Sequence, residues 1–114
     1  MESTRQQKVS RMLQKELGIY FQQHAREMLP GKMITVTVVR ISPDLGVAKV
    51  YLSIFPLDKK EEPLEKIKAH APSIRNEIGR KIKNQVRSIP EFIYYLDDSL
   101  DYIENIDNLL SEDE

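Results

Sequence analysis

The sequence predicts an α+β fold in which helices cover one face of a three-stranded sheet, within a single domain. Apolar residues recur every three or four positions over residues 4–28 and 64–83, the pattern of helices buried on one side. Two segments rich in β-branched residues, 33–41 and 47–55, flank a turn, and a short aromatic segment, residues 92–96, follows the second helical region. A chain of 114 residues can bury one modest core.

The first helix is predicted over residues 4–28, with Ser3 or Thr4 as its N-cap. Residues 29–32, LPGK, end it. Its apolar stripe is Val9, Met12, Leu13, Leu17, Tyr20, Phe21, Ala25 and Met28. Its polar side carries four bases with no acid between them, Arg5, Lys8, Arg11 and Lys15. Most such faces are simply solvated, but phosphate binding would explain this excess of bases.

The two β-branched segments predict an antiparallel hairpin covered on one side. Residues 42–46, SPDLG, form the turn, where proline presets φ and Gly46 permits a positive φ. In the second strand, strict alternation places one set of side chains toward the core, Ala48, Val50, Leu52 and Ile54. It places Lys49, Tyr51 and Ser53 on the open face.

Residues 64–83 predict two helices, because Pro72 interrupts an otherwise continuous helical pattern. The apolar stripe is Leu64, Ile67, Ala71, Ile74, Ile78 and Ile82. Proline lacks an N–H and its ring clashes with the preceding turn. We therefore expect the helices to meet at Ala71, Pro72 and Ser73, with His70 at the joint. A loop over residues 84–90 precedes the third strand.

The charge of the chain is segregated. Residues 1–96 contain all 17 basic residues and 10 acids, whereas residues 97–114 contain 8 acids and no base. We expect a folded domain over residues 1–98, followed by an acidic C-terminal helix and tail over residues 99–114. Apolar residues in that tail have helical spacing, and Asp98 or Ser99 could cap it. The cationic body makes nucleic acid a candidate partner although the net charge is −1.

Several classes of function lack support in the sequence. There is no cysteine, and the glycines form no nucleotide-binding loop. His24 and His70 have no carboxylate or histidine at ligand spacing, so we predict no metal and no cofactor. The alternative enzyme is a Mg²⁺-dependent nuclease built on Asp97 and Asp98, although helix capping explains these carboxylates better. No apolar run approaches the roughly 20 residues that span a bilayer, and we expect a cytoplasmic protein.

The strongest functional signal is the basic surface around the two helices of residues 64–83. The candidate RNA-binding residues are Arg5, Lys8, Arg11, Lys49, Lys68, Arg75, Arg80, Lys81, Lys83 and Arg87. Tyr51, Tyr94 and Tyr95 could stack on bases if they face outward, but one of the two adjacent tyrosines must point inward. The alternative is an interaction module whose basic face binds an acidic protein.

Several short motifs resemble the bacterial ribosome-binding factor A family. They are Ser42-Pro43-Asp44-Leu45, Ala48-Lys49-Val50-Tyr51, Ile74-Arg75, Glu77-Ile78-Gly79, Pro90-Glu91-Phe92 and Asp97-Asp98-Ser99. Together they cover nearly the whole chain.

The resemblance implies a type II KH-like fold and a monomeric, non-catalytic assembly factor without a small-molecule substrate. Such a factor would bind the immature small ribosomal subunit and its rRNA, assist late maturation and processing of the rRNA 5′ end, and support growth in the cold. The family replaces the usual Gly-x-x-Gly loop by an Ala-x-Gly kink, which we map onto Ala71, Pro72 and Ser73. Ser73 departs from the glycine of that pattern.

Overall fold

The computed structural model describes residues 3–56 and 63–97, which form three helices and three strands. In chain order these are α1 (Thr4–Met28), β1 (Met33–Ile41), β2 (Val47–Phe55), α2 (Pro63–Ala69), α3 (Ala71–Ile82) and β3 (Glu91–Leu96). The predicted α+β fold is confirmed, and the element order agrees with a KH-like domain. The predicted acidic helix, and Asp98 and Ser99 with it, lie outside the described residues.

The sheet has the strand order β1-β2-β3, with β2 in the centre. β1 and β2 are antiparallel, as predicted, and β3 runs parallel to β2. The parallel pairing follows from the connection, because two helices carry the chain back across the sheet before β3 begins. The third strand starts at Glu91, one residue before the predicted position.

The core lies between the helices and one face of the sheet. Ala48, Val50 and Leu52 of β2 are fully buried, as the alternation predicted. α1 contributes Leu13, Leu17 and Phe21, and α3 contributes Ile74, Ile78 and Ile82, all of them fully buried. Each such aliphatic or aromatic side chain stabilises the fold by about 1.5–3 kcal/mol relative to exposure.

α1 begins with a capping box that also joins the helix to the sheet. The Ser3 hydroxyl accepts a hydrogen bond from the Gln6 amide (3.1 Å), and the Ser3 amide donates to Gln6 Oε1 (2.8 Å). Gln6 is buried, and its Nε2 donates to the carbonyl of Ile41 at the end of β1 (3.1 Å). Ser3 is thus confirmed as the N-cap.

A β-bulge at Thr37 resets the alternation of β1. The pairing with β2 shifts between Val36 and Val38, so that Val39 and Ile41 face the core together with Val36. The side-chain amide of Gln14 in α1 donates to the carbonyl of Thr37 (3.2 Å). Uninterrupted alternation would have turned Arg40 toward the helices.

The hairpin turn differs from the prediction in one respect, since the positive φ belongs to Leu45 (61°) and not to Gly46. The Asp44 carboxylate accepts hydrogen bonds from the Ser42 hydroxyl (2.6 Å) and the Gly46 amide (2.9 Å). A Cβ at position 46 would lie 3.2 Å from Asp44 Oδ1. The absence of a side chain at position 46 therefore gives this carboxylate room to approach. The Leu45 amide donates to the Ser42 carbonyl within the same turn (2.9 Å).

The helices join at His70, which was predicted to lie at the joint, and not at Ala71, Pro72 and Ser73. The break falls on His70, and Ala71, Pro72 and Ser73 form the first turn of α3. Proline is tolerated there because amides of a first turn have no acceptor within the helix. The His70 amide closes α2 by donating to the Ile67 carbonyl (2.9 Å), and the His70 carbonyl accepts from Ile74 (3.0 Å).

Candidate nucleic-acid interface

A groove of about 730 Å³ separates α3 from β3. Three of the predicted basic residues, Arg75, Arg80 and Lys83, line it on the α3 side. They follow one another at intervals of five and three residues, and all are exposed. The groove therefore has one strongly cationic wall.

The opposite wall of the groove is largely aromatic. Phe92 and Tyr94 of β3 line it, together with Ile89 of the preceding loop and the exposed carboxylate of Glu91. Tyr94 is the inward-pointing member of the tyrosine pair, and its ring packs edge-on against Phe21. Burial, and secondarily the neighbouring Tyr20, raise the pKa of Tyr94 well above its ordinary value.

Contacts with Ile89 hold the loop before β3 against α3. Arg75 Nη2 donates a hydrogen bond to the Ile89 carbonyl (2.9 Å), so the guanidinium bridges the groove at its surface. A Cβ on Gly79 would lie 3.3 Å from Ile89 Cγ1. The small residue at position 79 therefore allows the loop to pack closely on the helix.

The N-terminus of α3 opens onto the same groove. Ala71 and Pro72 line it there, and the first turn of the helix contains no acidic residue. Free amides and the positive end of the helix dipole attract anions at such a terminus. The groove thus combines cationic side chains, a helix N-terminus and an apolar wall, which suit a phosphate backbone with unstacked bases.

The remaining predicted residues do not join this groove. Lys81 Nζ lies 3.7 Å from Glu16 Oε2 of α1, and Lys68 Nζ lies 3.9 Å from Glu65 Oε1 within α2. Lys8 and Arg11 are exposed on α1. These side chains lie on other parts of the surface.

Arg5 and Arg87 meet at a second, smaller depression. It has a volume of about 400 Å³ and is also lined by Pro43, Asp44 and Leu45 of the hairpin turn. The Ser42 and Gly46 hydrogen bonds lower the pKa of Asp44, whose carboxylate therefore partly offsets the two arginines. Arg5 and Arg87 are 82 positions apart, so the sequence did not indicate that they line the same depression.

Lys49 does not extend the basic surface of α3, contrary to the prediction. Its neighbours Ala48 and Val50 are buried toward the helices, so Lys49 points to the other side of the sheet. Tyr51 and Tyr95 share that side, and their rings stack on each other with centroids 5.2 Å apart.

The polar cluster around His24 was not predicted from the sequence. The His24 ring lies 4.3 Å from that of Tyr20, and its Nδ1 and Nε2 lie 3.3 and 3.8 Å from carboxylate oxygens of Glu27 and Glu77. The prediction that His24 has no carboxylate at ligand spacing was wrong, because Glu27 lies three positions after it and contacts its ring. Helical spacing could have indicated Glu27, whereas Glu77 comes from α3. Burial, with Glu77 and Glu27 nearby, raises the pKa of Tyr20.

Within residues 3–56 and 63–97, no group of three or more histidine and acidic side chains is arranged to hold a metal ion. In the same part of the chain, none of the three helices is long and apolar enough to cross a membrane.

Comparison with known proteins identifies the family. The sequence model for ribosome-binding factor A matches residues 5–110. The chain belongs to the ribosome-binding factor A family. A ribosome-binding factor A from Cytophaga hutchinsonii is 47% identical over 112 residues, covering 98% of this chain and 84% of the relative. Another from Flavobacterium psychrophilum is 42% identical, covering 97% and 86%.

Solved structures agree with the fold. The crystal structure of ribosome-binding factor A from Thermus thermophilus superposes with a TM-score of 0.66 at 20% identity, covering 80% of this chain and 94% of that one. A homology model of the Thermus thermophilus protein, fitted into a cryo-EM map of its complex with 30S, gives 0.61 at 21% identity, covering 75% and 88%.

Proposed function

We propose that this protein is a non-catalytic assembly factor of the small ribosomal subunit, and that it binds immature subunits through their rRNA. Membership of the ribosome-binding factor A family supports ribosome binding. A Thermus thermophilus relative has been fitted into a complex with 30S, which supports the small subunit as the partner.

The groove between α3 and β3 is the proposed rRNA site, and its cationic wall is the observation that carries this assignment. Arg80 and Lys83 contact phosphates, while Arg75 is held at the surface by the Ile89 carbonyl. Phe92 provides an apolar surface for an unstacked base. Arg5 and Arg87 bind a second phosphate at the hairpin turn.

Binding alone suffices for the proposed activity. A factor that binds one rRNA conformer more tightly than another shifts the population toward that conformer. This would favour late maturation and correct processing of the 5′ end without a chemical step on the protein. Misfolded RNA rearranges more slowly in the cold, so the requirement for the factor would grow there. The protein acts as a cytoplasmic monomer in this proposal.

Sedimentation of cell extract tests the proposed partner. The protein should co-migrate with free small subunits and be absent from translating ribosomes. Sedimentation only with translating ribosomes, or only at the top of the gradient, would contradict the assignment.

A double variant, Arg80→Gln with Lys83→Gln, tests the groove. It is compared with a control variant that has the same change in charge. The control, Lys15→Gln with Arg26→Gln, alters two exposed bases of α1. Each phosphate contact contributes about 0.7 to the slope of log affinity against log salt for single strands. In filter binding to small-subunit rRNA, the slope for the groove variant should therefore be less steep than that of the parent protein by roughly 1.4. Equal slopes for the two variants would show that the groove is not the rRNA site.

A further inference from the structure

The side of the sheet that faces away from the helices carries exposed apolar residues. We call it the open face, which includes Met33, Thr35, Val38, Arg40, Lys49, Tyr51, Ser53, Phe55, Ile93 and Tyr95. Met33 and Phe55 are partners in the β1–β2 register and are 66% and 64% exposed. Tyr95 is 38% exposed beside Tyr51. Such an apolar strip favours a covering partner.

Two bases lie directly opposite each other on the open face. Arg40 of β1 and Lys49 of β2 are register partners, and both are exposed. Like charges at opposed positions of a sheet repel each other. An acidic partner would relieve this repulsion.

The end of β3 lies beside the open face. Leu96 pairs with Leu52, and the Asp97 amide donates to the Leu52 carbonyl (2.7 Å). The Asp97 carboxylate accepts a hydrogen bond from the Thr37 hydroxyl of β1, so it reaches across β2. Because β2 and β3 are parallel, β3 ends alongside the last part of β2, where Phe55 lies about 7 Å beyond Ser53.

The sequence after Asp97 complements this surface. Residues 98–114 contain seven acids and no base. They also contain six large apolar residues with mainly helical spacing, Leu100, Tyr102, Ile103, Ile106, Leu109 and Leu110. By contrast, residues 57–62, which follow the other end of the apolar strip, include only one apolar residue, Leu57.

We propose that residues 98–114 bind to the open face of the same chain. Their apolar residues cover Tyr95, Phe55 and Met33, and their carboxylates offset the charges of Arg40 and Lys49. The covalent connection at Asp97 gives the segment a high effective concentration, on the order of millimolar for a short linker. No RNA is needed for this contact, so the contact can be tested independently of the proposed function.

Single-stranded RNA is a weaker candidate for this surface. Base stacking needs free aromatic faces, but Tyr51 and Tyr95 are stacked on each other with an interplanar angle of 22°. Only Arg40 and Lys49 would be available for phosphates among the residues of the open face. The adjoining acidic segment would also compete with any polyanion.

Paramagnetic labelling of the full chain tests the proposal. The sequence contains no cysteine, so Ser111→Cys provides a single site for a nitroxide label. The label should broaden the amide resonances of Thr35 and Ser53 on the open face more strongly than those of Arg75 and Arg80 on α3. Dilution should not reduce the broadening, because the contact is within one molecule.

Matched variants test each side of the contact. The double variant Ile103→Asp with Ile106→Asp removes two apolar residues from the segment. The variant Phe55→Ser removes an exposed apolar residue from the sheet. Each variant should reduce the broadening at Thr35 and Ser53. Phe55 is exposed, so its replacement should leave the core intact.

Three results would overturn the proposal. They are an absence of broadening on the open face, broadening that instead centres on α3, and equal broadening of unlabelled, isotope-enriched chains by labelled chains that are not enriched. The last result would assign the open face to a second copy of the protein.

Discussion

The Tyr94 hydroxyl is buried and has no hydrogen-bond partner within residues 3–56 and 63–97. Removing a buried, unpaired hydroxyl avoids a desolvation cost of about 1–3 kcal/mol. Tyr94→Phe should therefore leave the free energy of unfolding at pH 7 unchanged or raise it by about 1 kcal/mol. Urea unfolding measures this, with the exposed Tyr95→Phe as the control. A loss of stability would show that the hydroxyl makes a stabilising contact.

The raised pKa of Tyr94 gives the same variant a pH signature. Above pH 10 the unfolded chain releases the tyrosine proton while the folded protein retains it. This contribution to stability is fully present below pH 10 and declines as the pH rises further. The free energy of unfolding should therefore fall less between pH 7 and pH 10.5 for Tyr94→Phe than for the parent protein. An equal difference in both proteins would contradict the buried, neutral state of Tyr94.

At the scale of elements, the joint between α2 and α3 depends on Pro72. Its fixed φ suits the first turn of α3 and restricts the unfolded chain. Pro72→Gly should lower the free energy of unfolding by about 1 kcal/mol. Ser73→Ala is the control at the next, exposed position and should change it by less than about 0.5 kcal/mol. Increased stability of Pro72→Gly in urea unfolding would mean that the proline strains the joint.

The elements themselves were readily predictable. Periodicity and turn residues located α1, β1 and β2 with the observed bounds, because a buried face imposes a regular spacing on the residues that form it. Departures from regular spacing were not predicted. The bulge at Thr37 accepts a hydrogen bond from the Gln14 side chain of α1, and Leu45 adopts its positive φ in a turn whose Ser42 and Asp44 side chains are hydrogen-bonded.

At the scale of the whole molecule, the charge is divided between the body and residues 98–114. A chain ending at Asp97 would have 17 basic and 11 acidic residues, hence a net charge of +6 in place of −1. Its affinity for single-stranded RNA should exceed that of the full chain by about tenfold at 0.05 M salt, because the field of a cationic protein concentrates polyanions.

Salt provides the check on this electrostatic prediction. Screening shortens from about 10 Å at 0.1 M to 3 Å at 1 M, so the two affinities should converge as salt increases. A full-length variant with the seven acids of residues 98–114 replaced by their amides should behave like the truncated chain. Equal affinities of the full and truncated chains at low salt would show that the segment does not affect RNA binding.

The sequence by itself determined the element order, the buried faces of the helices and of β2, and the segregation of charge. These properties depend on local spacing and composition, which a single chain displays directly. It also provided the motifs of the ribosome-binding factor A family, which the comparisons confirmed.

Only the tertiary structure decided which basic residues share a surface. Arg75, Arg80 and Lys83 line one groove, Arg5 joins Arg87 across the chain, and Lys49 lies on the far side of the sheet. Surface charges leave no periodic signature that links distant segments, since they need no partner within the core. Their grouping follows from the packing of the helices on the sheet and from the parallel placement of β3.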